Sequence, residues 1–388
     1  MTMTTNKNHN SPNVPNLRFP EFEGEWEKHL LTDFMSFKNG MNPEAKRFGN
    51  GVKFISVMDI LNNQFIYYDN IRASVEIADG DLDTYGVKYG DILFQRSSET
   101  LEDVGQANVY LDSKPAVFGG FVIRGKSKGN YNPLFFRYLL TSPTVRKRVI
   151  VKGAGAQHFN IGQDGLSKVC IDIPCIKEQE KIARLLALLD ERIATQNKII
   201  DKLQSLIKGL RNKIFGKLRK NVGFNAMIGD VLGYEQPQSY IVEDTEYVDE
   251  GTPVLTANKA FVLGYTSETE GIYDKGDCII FDDFTLDCKY VDFPFKVKSS
   301  AIKILTAENK ELLRYTFEFL KYLDLSTDEH KRHYIAETQN QEFILPTTQI
   351  VRTISHTFSV LSLRMETVIK QRLLFEKQKQ YLLRQMFI

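Results

Sequence analysis

The sequence contains few cysteines and no long apolar run. Its four cysteines, Cys170, Cys175, Cys278 and Cys288, show neither a CxxC pair nor a Cys/His spacing that would hold zinc. No stretch of 18 apolar residues would cross a membrane, and the polar start of the chain lacks the apolar segment of a signal peptide. We therefore expect a cytoplasmic protein with reduced thiols, no metal site, and a flexible tail over residues 1–15.

An excess of charge of one sign is also missing. The 388 residues include 50 Lys and Arg against 49 Asp and Glu, which gives a net charge of +1. A chain of this balance does not coat nucleic acid indiscriminately, so any binding of DNA or RNA must use local patches. The hydrophobic content of 42% is typical of globular proteins, and the length predicts two or three domains.

Catalytic motifs are lacking as well. The sequence has no P-loop lysine motif, no glycine fingerprint for a nucleotide, and no Asn/Asp-Pro-Pro-aromatic motif for adenine methylation. The glycine-rich run at 153–159 follows a basic segment and lacks a strand-turn-helix context. The six histidines stand singly or beside basic residues. These absences weigh against an enzyme that itself cuts or modifies nucleic acid.

The chain does contain an internal repeat. Residues 173–215 and 345–387 align without gaps at an offset of 172, and both open with a proline. Proline is tolerated at a helix start because its missing N–H costs nothing there. The identical pairs include Pro174/Pro346, Ile182/Ile354, Leu189/Leu361, Arg192/Arg364, Thr195/Thr367, Lys198/Lys370, Leu210/Leu382 and Phe215/Phe387.

Both segments carry an apolar heptad pattern. Apolar residues recur in alternating steps of four and three, which predicts two helices with seams on the order of 50 Å long. A sustained seam favours packing against a second helix with the same seam, although each segment alone is also compatible with a core helix of its own domain. The seam residues are Ile182, Leu186, Leu189, Ile193, Ile200, Leu203, Ile207 and Leu210 in the first helix, and Ile354, Phe358, Leu361, Met365, Val368, Phe375 and Leu382 in the second.

A longer, strand-rich stretch precedes each helix. Short β-branched and aromatic runs, such as KFISVMDI at 53–60 and AVFGGFVIR at 116–124, alternate with Gly and Asp and predict an α/β or α+β domain. Local signals recur in the same order in the second half, for example GDILF at 90–94 and GDCII at 276–280. We therefore predict two similar globular domains.

The predicted boundaries also separate segments of different charge. The chain would consist of a first domain over 16–173, a central helix over 174–220, a second domain over 221–345 and a terminal helix over 346–388. Both helices are basic, with 12 Lys and Arg to 5 Asp and Glu and with 7 to 2, whereas the second domain has 11 to 23. Ordinary solvated surfaces explain the basic helices equally well, and the acidic second domain argues against a broad phosphate-binding face there.

Several of these segments resemble the specificity (S) subunit of type I restriction-modification enzymes. The matching segments are PNLRFPEFEGEWE at 15–27, FISVMDI at 54–60, GDILFQRSS at 90–98 and the helix opening IPCIKEQEKIARLLALLDERI at 173–193. The resemblance extends over essentially the whole chain. It is weaker in the second half, where FDDFT at 281–285 lacks a counterpart of Arg96.

The resemblance implies a non-catalytic DNA-recognition subunit of a system that defends against foreign DNA. Two similar target-recognition domains would each read one half of a bipartite double-stranded sequence. Two long helices, packed as an antiparallel coiled coil, would set the gap between the halves. Two methyltransferase (M) subunits would dock on the chain, and motor-nuclease (R) subunits would join through them. The chain itself would hold no cofactor, while its partners imply S-adenosylmethionine, ATP and Mg²⁺.

The first domain offers two candidate DNA patches. Arg96, Ser97 and Ser98 directly follow an apolar strand, and an arginine there suits guanine, although an ion pair with Glu99 or Asp103 is the alternative. A basic run further on supplies cations for phosphates and polar side chains for base edges, although a basic helix end followed by a surface loop explains it too. The candidates in this run are Arg146, Lys147, Arg148, Lys152, Gln157, His158 and Asn160.

The second domain offers weaker candidates. Lys331, Arg332 and His333 occupy the place ahead of the terminal helix that corresponds to the basic run of the first domain. Acidic side chains accept from cytosine amino groups, yet aspartates are equally common in plain turns. The remaining candidates are Asp282, Asp283 and Thr285, and, after a predicted strand, Thr256, Asn258 and Lys259.

A scaffold whose helices join protein partners and whose domains never touch DNA is the alternative function.

Overall fold

The computed structural model describes residues 13–155, 158–257, 260–327 and 332–388. The chain divides into two compact units. One consists of Met1–Thr195 with Arg372–Ile388, and the other of Gln196–Gln371. Each unit therefore contains one strand-rich domain together with one end of each of the two long helices.

The first unit is built on two main sheets. A four-stranded antiparallel sheet has the order β2-β9-β5-β7, and a three-stranded sheet β4-β3-β8 contains one parallel pair, β3 with β8. Two-stranded ribbons join β1 to β11 and β6 to β10. The strands are β1 Glu27–Leu30, β2 Met35–Asn39, β3 Phe48–Ile55, β4 Ala73–Val75, β5 Ile92–Gln95, β6 Ser97–Ser98, β7 Ala107–Val109, β8 Val117–Phe118, β9 Val122–Ser127, β10 Phe159–Asn160 and β11 Cys170–Ile173. The short helices are α1 Leu31–Phe34, α2 Val57–Asn62, α3 Asp81–Tyr85, α4 Pro133–Thr141, α5 Pro143–Ile150 and α6 Gln163–Ser167.

The second unit repeats this plan. Its four-stranded sheet has the order β13-β19-β16-β17, its three-stranded sheet β15-β14-β18 again contains one parallel pair, and β12 pairs with β20. The strands are β12 Ala226–Met227, β13 Gly233–Glu235, β14 Thr252–Leu255, β15 Val262–Thr266, β16 Cys278–Asp282, β17 Cys288–Val291, β18 Lys296–Val297, β19 Ile302–Thr306 and β20 Glu342–Phe343. The long helix α7, Ile176–Asn221, precedes this domain in sequence. The short helices of the domain are α8 Ile228–Val231 and α9 Lys310–Leu323.

Matching hydrogen bonds align the two domains residue by residue. The amide of Gly119 donates to Ile55 O at 3.0 Å, and the amide of Lys298 donates to Leu255 O at 3.1 Å. Helices α4 and α9 are capped alike, since Asn132 Oδ1 and Asn309 Oδ1 each accept an amide three residues ahead at 2.9 Å. The prediction of two similar α+β domains that form an internal repeat is therefore confirmed.

The two long helices are α7 and α10, and α10 spans Thr348–Gln385. Each begins two residues after the proline that the sequence analysis places at the helix start. In the first unit the beginning of α7 packs on the end of α10, and in the second unit the end of α7 packs on the beginning of α10, so the pairing is antiparallel. All fifteen proposed seam residues are buried or half-buried. Eight of them are buried: Ile182, Leu186, Leu189, Ile200, Ile354, Phe358, Val368 and Leu382.

A buried polar contact fastens the first domain to both long helices. The Tyr138 hydroxyl of α4 donates to Asp190 Oδ2 of α7 at 2.7 Å, and Lys379 Nζ of α10 lies 2.6 Å from Asp190 Oδ1. Asp190 is almost fully buried, and burial beside this carboxylate raises the pKa of Tyr138 well above its usual range. The carboxylate thus accepts from two elements at once, as a buried charge requires.

The second unit uses the equivalent helix position for the same purpose. Arg314 of α9 donates to Ser362 Oγ of α10, and Ser362 is the counterpart of Asp190 at the repeat offset of 172. Arg314 also pairs with Glu318 at 2.9 Å, and Glu318 accepts from Arg211 of α7 at 2.7 Å. In both units, therefore, one helix of the domain reaches the same turn of the repeated helix through a hydrogen bond, which is buried in the first unit and part-buried in the second.

The start of the described chain is held in place. Asn13 Nδ2 donates to Trp26 O at 2.7 Å and to Asp172 Oδ1 at 2.8 Å. Arg18 makes two hydrogen bonds, of 2.8 and 2.7 Å, to the fully buried carboxylate of Glu178. Residues 13–15 of the predicted flexible tail are thus anchored, because the asparagine satisfies buried acceptors. Residues 1–12 lie outside the described part.

We expect Tyr138→Phe to lower the free energy of unfolding of the first unit by about 2 kcal/mol, because it removes a hydrogen bond to a buried charge. The single tryptophan of the chain, Trp26, is buried in this unit and reports its unfolding in urea by fluorescence. Tyr381→Phe is the matched control, since this exposed tyrosine lies on α10. Equal urea midpoints for the two variants would contradict a role of the Tyr138 hydroxyl in docking.

Candidate nucleic-acid interface

The structure brings the two candidate patches of the first domain together. Ser97 and Ser98 form β6, which pairs with Phe159 and Asn160 of β10. The Ser97 hydroxyl donates to Asn160 Oδ1, and Arg96 O accepts from the amide of Ile161 at 2.9 Å. Residues far apart in sequence therefore present one continuous strip of polar side chains.

Arg96 lies at the start of this strip. It follows β5 directly, its side chain is half-buried, and its Nη1 lies 3.3 Å from Gly120 O. In the described part of the chain no ion pair joins Arg96 to Glu99 or Asp103, so that alternative is wrong. Asp103 instead accepts from Thr100 Oγ1 at 2.7 Å and from Gln106 Nε2 at 2.9 Å. A guanidinium has five N–H donors, so donors of Arg96 remain for a ligand beyond this single carbonyl contact.

Two arginines of the predicted basic run have structural roles instead. Arg146 donates to Glu102 O at 2.7 Å and to Val104 O at 2.8 Å, and burial lowers its pKa. Arg148 forms a 2.7 Å ion pair with the buried Asp172. The assignment of Arg146 as a phosphate contact is wrong, because its guanidinium is largely buried and bonded to backbone carbonyls. The Arg148 side chain is 32% exposed, so its assignment stays a prediction.

The other residues of this run are accessible. Lys147 at the last turn of α5, Lys152 and His158 are all exposed, and so is Asn160. Gln157 lies outside the described residues. The accessible cations of the run thus come from two lysines, and Lys152 lies two residues before Ala154, which bridges to Asn160.

Both aspartates proposed in the second domain are buried. Asp282 Oδ1 accepts from the amides of Phe284 and Thr285, so this residue closes a turn. Asp283 Oδ1 accepts from the amides of His333 and Tyr334 at 3.1 and 2.7 Å. Both are wrong as cytosine acceptors, since their side chains are buried and Oδ1 of each is bonded to two backbone amides.

Of the proposed basic cluster in the second domain, only Arg332 is described as exposed. His333 is buried, and its Nδ1 lies 2.9 Å from Glu337 Oε2, so its assignment as a DNA contact is wrong. The Arg332 guanidinium lies 5.9 Å from the Phe284 ring centroid and 4.0 Å from Asp283 Oδ2. Lys331 lies outside the described residues.

The threonine candidates of the second domain lie near strand ends. Thr256 is half-buried directly after β14, and its amide donates to Phe261 O at 3.0 Å. Thr285 is exposed in the turn that Asp282 closes. Asn258 and Lys259 lie outside the described part of the chain.

Equivalent positions in the two domains carry different side chains. The amide of Arg96 donates to Phe121 O, as the amide of Asp283 donates to Ala301 O, both at 2.9 Å. By the same alignment Asn160 corresponds to Arg332, since the amides of the residues that follow each of them donate to Arg96 O and Asp283 O. The first domain thus places its arginine after a strand of the sheet, whereas the second domain places it on the returning loop.

One exposed aromatic was missed by the sequence analysis. Phe121 lies in the run 116–124, which the pattern assigns to a strand, but the chain turns at Gly120–Phe121 between β8 and β9. The side chain of Phe121 is 68% exposed beside Arg96. The paired glycines before it were the available signal of a turn.

In the described ranges, no group of three or more His, Cys, Asp or Glu side chains is arranged to hold a metal ion. None of the helices described combines the length and the apolar character that crossing a membrane requires.

The architecture defines a class of protein in which two repeated α+β domains are each fastened to a pair of long antiparallel helices.

Part of the sequence is similar to known proteins. Residues 23–205 match the model of the type I restriction modification DNA specificity domain. The specificity subunit of the EcoR124I/EcoR124II type I restriction enzyme of Escherichia coli is 46% identical over 126 residues, which cover 31% of each chain. The MjaVIII specificity subunit of Methanocaldococcus jannaschii is 24% identical over 54% of this chain and 46% of its own length.

The fold agrees along nearly the whole chain. The crystal structure of a type I restriction-modification S subunit from M. genitalium matches with a TM-score of 0.65 at 16% identity, over 97% of this chain and 99% of that one. The curated matches span less than half the length of these relatives. The chain is thus similar to type I restriction-modification specificity subunits, in sequence over residues 23–205 and in fold over nearly its whole length.

We expect Asp283→Ala to destabilise the second unit by about 3 kcal/mol, because it removes the partner of two buried amides and of Lys303, whose Nζ lies 3.7 Å from Asp283 Oδ2. Urea unfolding followed by circular dichroism measures this loss. The exposed Asp292→Ala is the control and should stay within about 0.5 kcal/mol of the parent. A stable Asp283→Ala variant would reopen a role for this carboxylate in recognition.

Proposed function

We propose that the chain reads a bipartite double-stranded DNA target, one half-site by each domain. The observation that carries this proposal is the strip formed by β6 and β10 with Arg96 beside it. It combines an arginine, a hydroxyl and an amide, the groups that distinguish guanine and adenine in the major groove. The corresponding strip of the second domain holds Arg332 at the position of Asn160. The similarity of residues 23–205 to the type I restriction modification DNA specificity domain supports the proposal.

Phosphate contacts would be unevenly shared between the domains. Lys147 and Lys152 are exposed near the strip of the first domain, whereas residues 221–345 carry 23 acidic against 11 basic residues. Phosphate contacts supply most of the salt-dependent affinity, so the first domain would contribute the larger part of it. The second domain would then contribute chiefly base contacts, through Arg332 and Thr285.

Partners would supply the chemistry. Two M subunits would dock on the helices and domains, and R subunits would join through them. S-adenosylmethionine, ATP and Mg²⁺ would be bound by these partners and not by this chain. The assembly would act in the cytoplasm, where bacterial DNA lies.

Methylome sequencing tests the proposal. A host without its own type I system would receive this chain together with a compatible M subunit. A new bipartite methylated-adenine motif that disappears when either protein is withheld would establish the function. If the two proteins co-purify but no motif appears, and if DNA binding does not weaken as salt rises, the chain is a scaffold and not a reader of DNA.

We expect Arg96→Ala to weaken binding to the target duplex by about 1 to 3 kcal/mol and to relax one position of one half-site, because it removes a base contact. Competition binding with single-base variants of the duplex measures both effects. Lys298→Ala is a matched control. This exposed cation belongs to the second domain, so its loss should not change the half-site that Arg96→Ala relaxes. An unaltered affinity and motif would remove Arg96 from the interface.

The long helices generate a second prediction. Inserting four residues after Thr195 in α7 and after Gln371 in α10 adds about one turn and roughly 6 Å to each helix. The tolerated spacer of the methylated motif should lengthen by one or two base pairs, given about 3.4 Å per pair. Methylome sequencing of the double insertion checks this. A spacer of unchanged length would show that the helices do not set it.

A further inference from the structure

Phe121 is held outward by a tightly packed turn. The turn follows β8, where the amide of Gly119 donates to Ile55 O, and it closes with the amide of Val122 donating to Gly119 O at 2.9 Å. A Cβ atom on Gly120 would overlap the side chain of Asn42, and one on Gly40 would overlap the backbone of Gly119. Gly40 is required by this approach to backbone, whereas a side chain at position 120 would have to displace the Asn42 amide, so the turn that carries Phe121 is closely packed.

The backbone of Phe121 is bonded to the residue that begins the polar strip. Phe121 O accepts from the amide of Arg96 at 2.9 Å, and the Arg96 guanidinium contacts the carbonyl of Gly120. Arg96 is followed by Ser97, which is bonded to Asn160. An exposed aromatic therefore borders the groups proposed to contact base edges. Single apolar side chains are common on protein surfaces. This one is notable because its backbone is bonded to Arg96, one of the residues proposed to contact base edges.

The geometry points to Phe121 as a specificity-determining residue that packs on a thymine methyl group in the half-site read by the first domain. This inference rests on the proposed function. The thymine methyl is the apolar feature of the major groove, and phenylalanine is one of the side chains that contact it. Arginine reads O6 and N7 of guanine from the same groove, so the two neighbouring side chains would recognise two nearby base pairs.

The second domain provides an internal contrast. The counterpart of Phe121 is Ala301, and the counterpart of Arg96 is the buried Asp283. Ala301 carries no ring at this position, although the Phe284 ring next to Asp283 lies 5.9 Å from the Arg332 guanidinium. The contact proposed for Phe121 therefore belongs to the half-site that Arg96→Ala relaxes.

Deoxyuridine substitution isolates the contact, because it removes the methyl group and leaves the hydrogen-bonding edge intact. The complex of this chain with a compatible M subunit would be titrated with duplexes that carry the methylated motif, each with one thymine replaced. We expect one position to weaken binding by the parent protein roughly 4-fold, the effect of burying one methyl group. Phe121→Ala should bind the unmodified duplex roughly 5- to 10-fold more weakly and should not respond to deoxyuridine at that position.

Two variants separate this contact from a loss of structure. Phe121→Tyr keeps the ring and should keep the response to deoxyuridine. Tyr89→Ala removes a ring of similar exposure before the other end of β5 and should bind like the parent. Unchanged unfolding of Phe121→Ala in urea confirms that its fold is intact.

The possible outcomes are distinct. If the parent protein directs a bipartite motif but Phe121→Ala binds as tightly and responds alike at every thymine, the inference fails and the proposed function stands. If Phe121→Ala instead loses the M subunit during purification, the ring is a protein contact and the inference is overturned. If the parent protein directs no motif at all, the proposed function fails and the inference with it.

Discussion

A single position of the repeated helix holds each domain in place. Asp190 in the first unit and Ser362 in the second are counterparts, and each accepts a hydrogen bond from the helix that its own domain packs against the pair. Apolar seams specify that two helices pack, but they allow neighbouring registers at similar cost. A buried polar contact is costly when broken, so it selects one register of domain on helix. The orientation of every recognition side chain depends on that register.

The two domains share a backbone and differ in the chemistry at its exposed edge. An arginine follows β5 in the first domain, whereas the equivalent residue in the second is a buried aspartate bonded to backbone amides. The second domain supplies its exposed arginine from the returning loop. The same hydrogen-bonded frame thus supports two different arrangements of donors, which suits two half-sites of different sequence.

The heptad pattern and the matched prolines predicted the long helices well, because periodicity over forty residues is a strong signal. The repeated α+β domains were predicted from short matching segments, such as GDILF at 90–94 and GDCII at 276–280, that occur in the same order in both halves. Individual contacts were harder to predict. Arg146 and Arg148 look like surface cations in sequence. Arg146 instead donates to the carbonyl of Val104, and Arg148 pairs with the carboxylate of Asp172, both tens of residues away. Phe121 looks like a strand residue, and only the turn after the paired glycines exposes it. Burial and long-range pairing decide such cases, and a single sequence does not show them.

The buried aspartate of the second domain has a consequence for transferring a contact from one domain to the other. Asp283 lies against Lys303, which is itself buried, and its other oxygen holds the loop that carries Arg332. Replacing Asp283 by arginine, to copy the first domain, would place two cations together and release that loop. Under the proposed function, a single substitution at Asp283 would therefore not transfer the arginine contact of the first domain to the second.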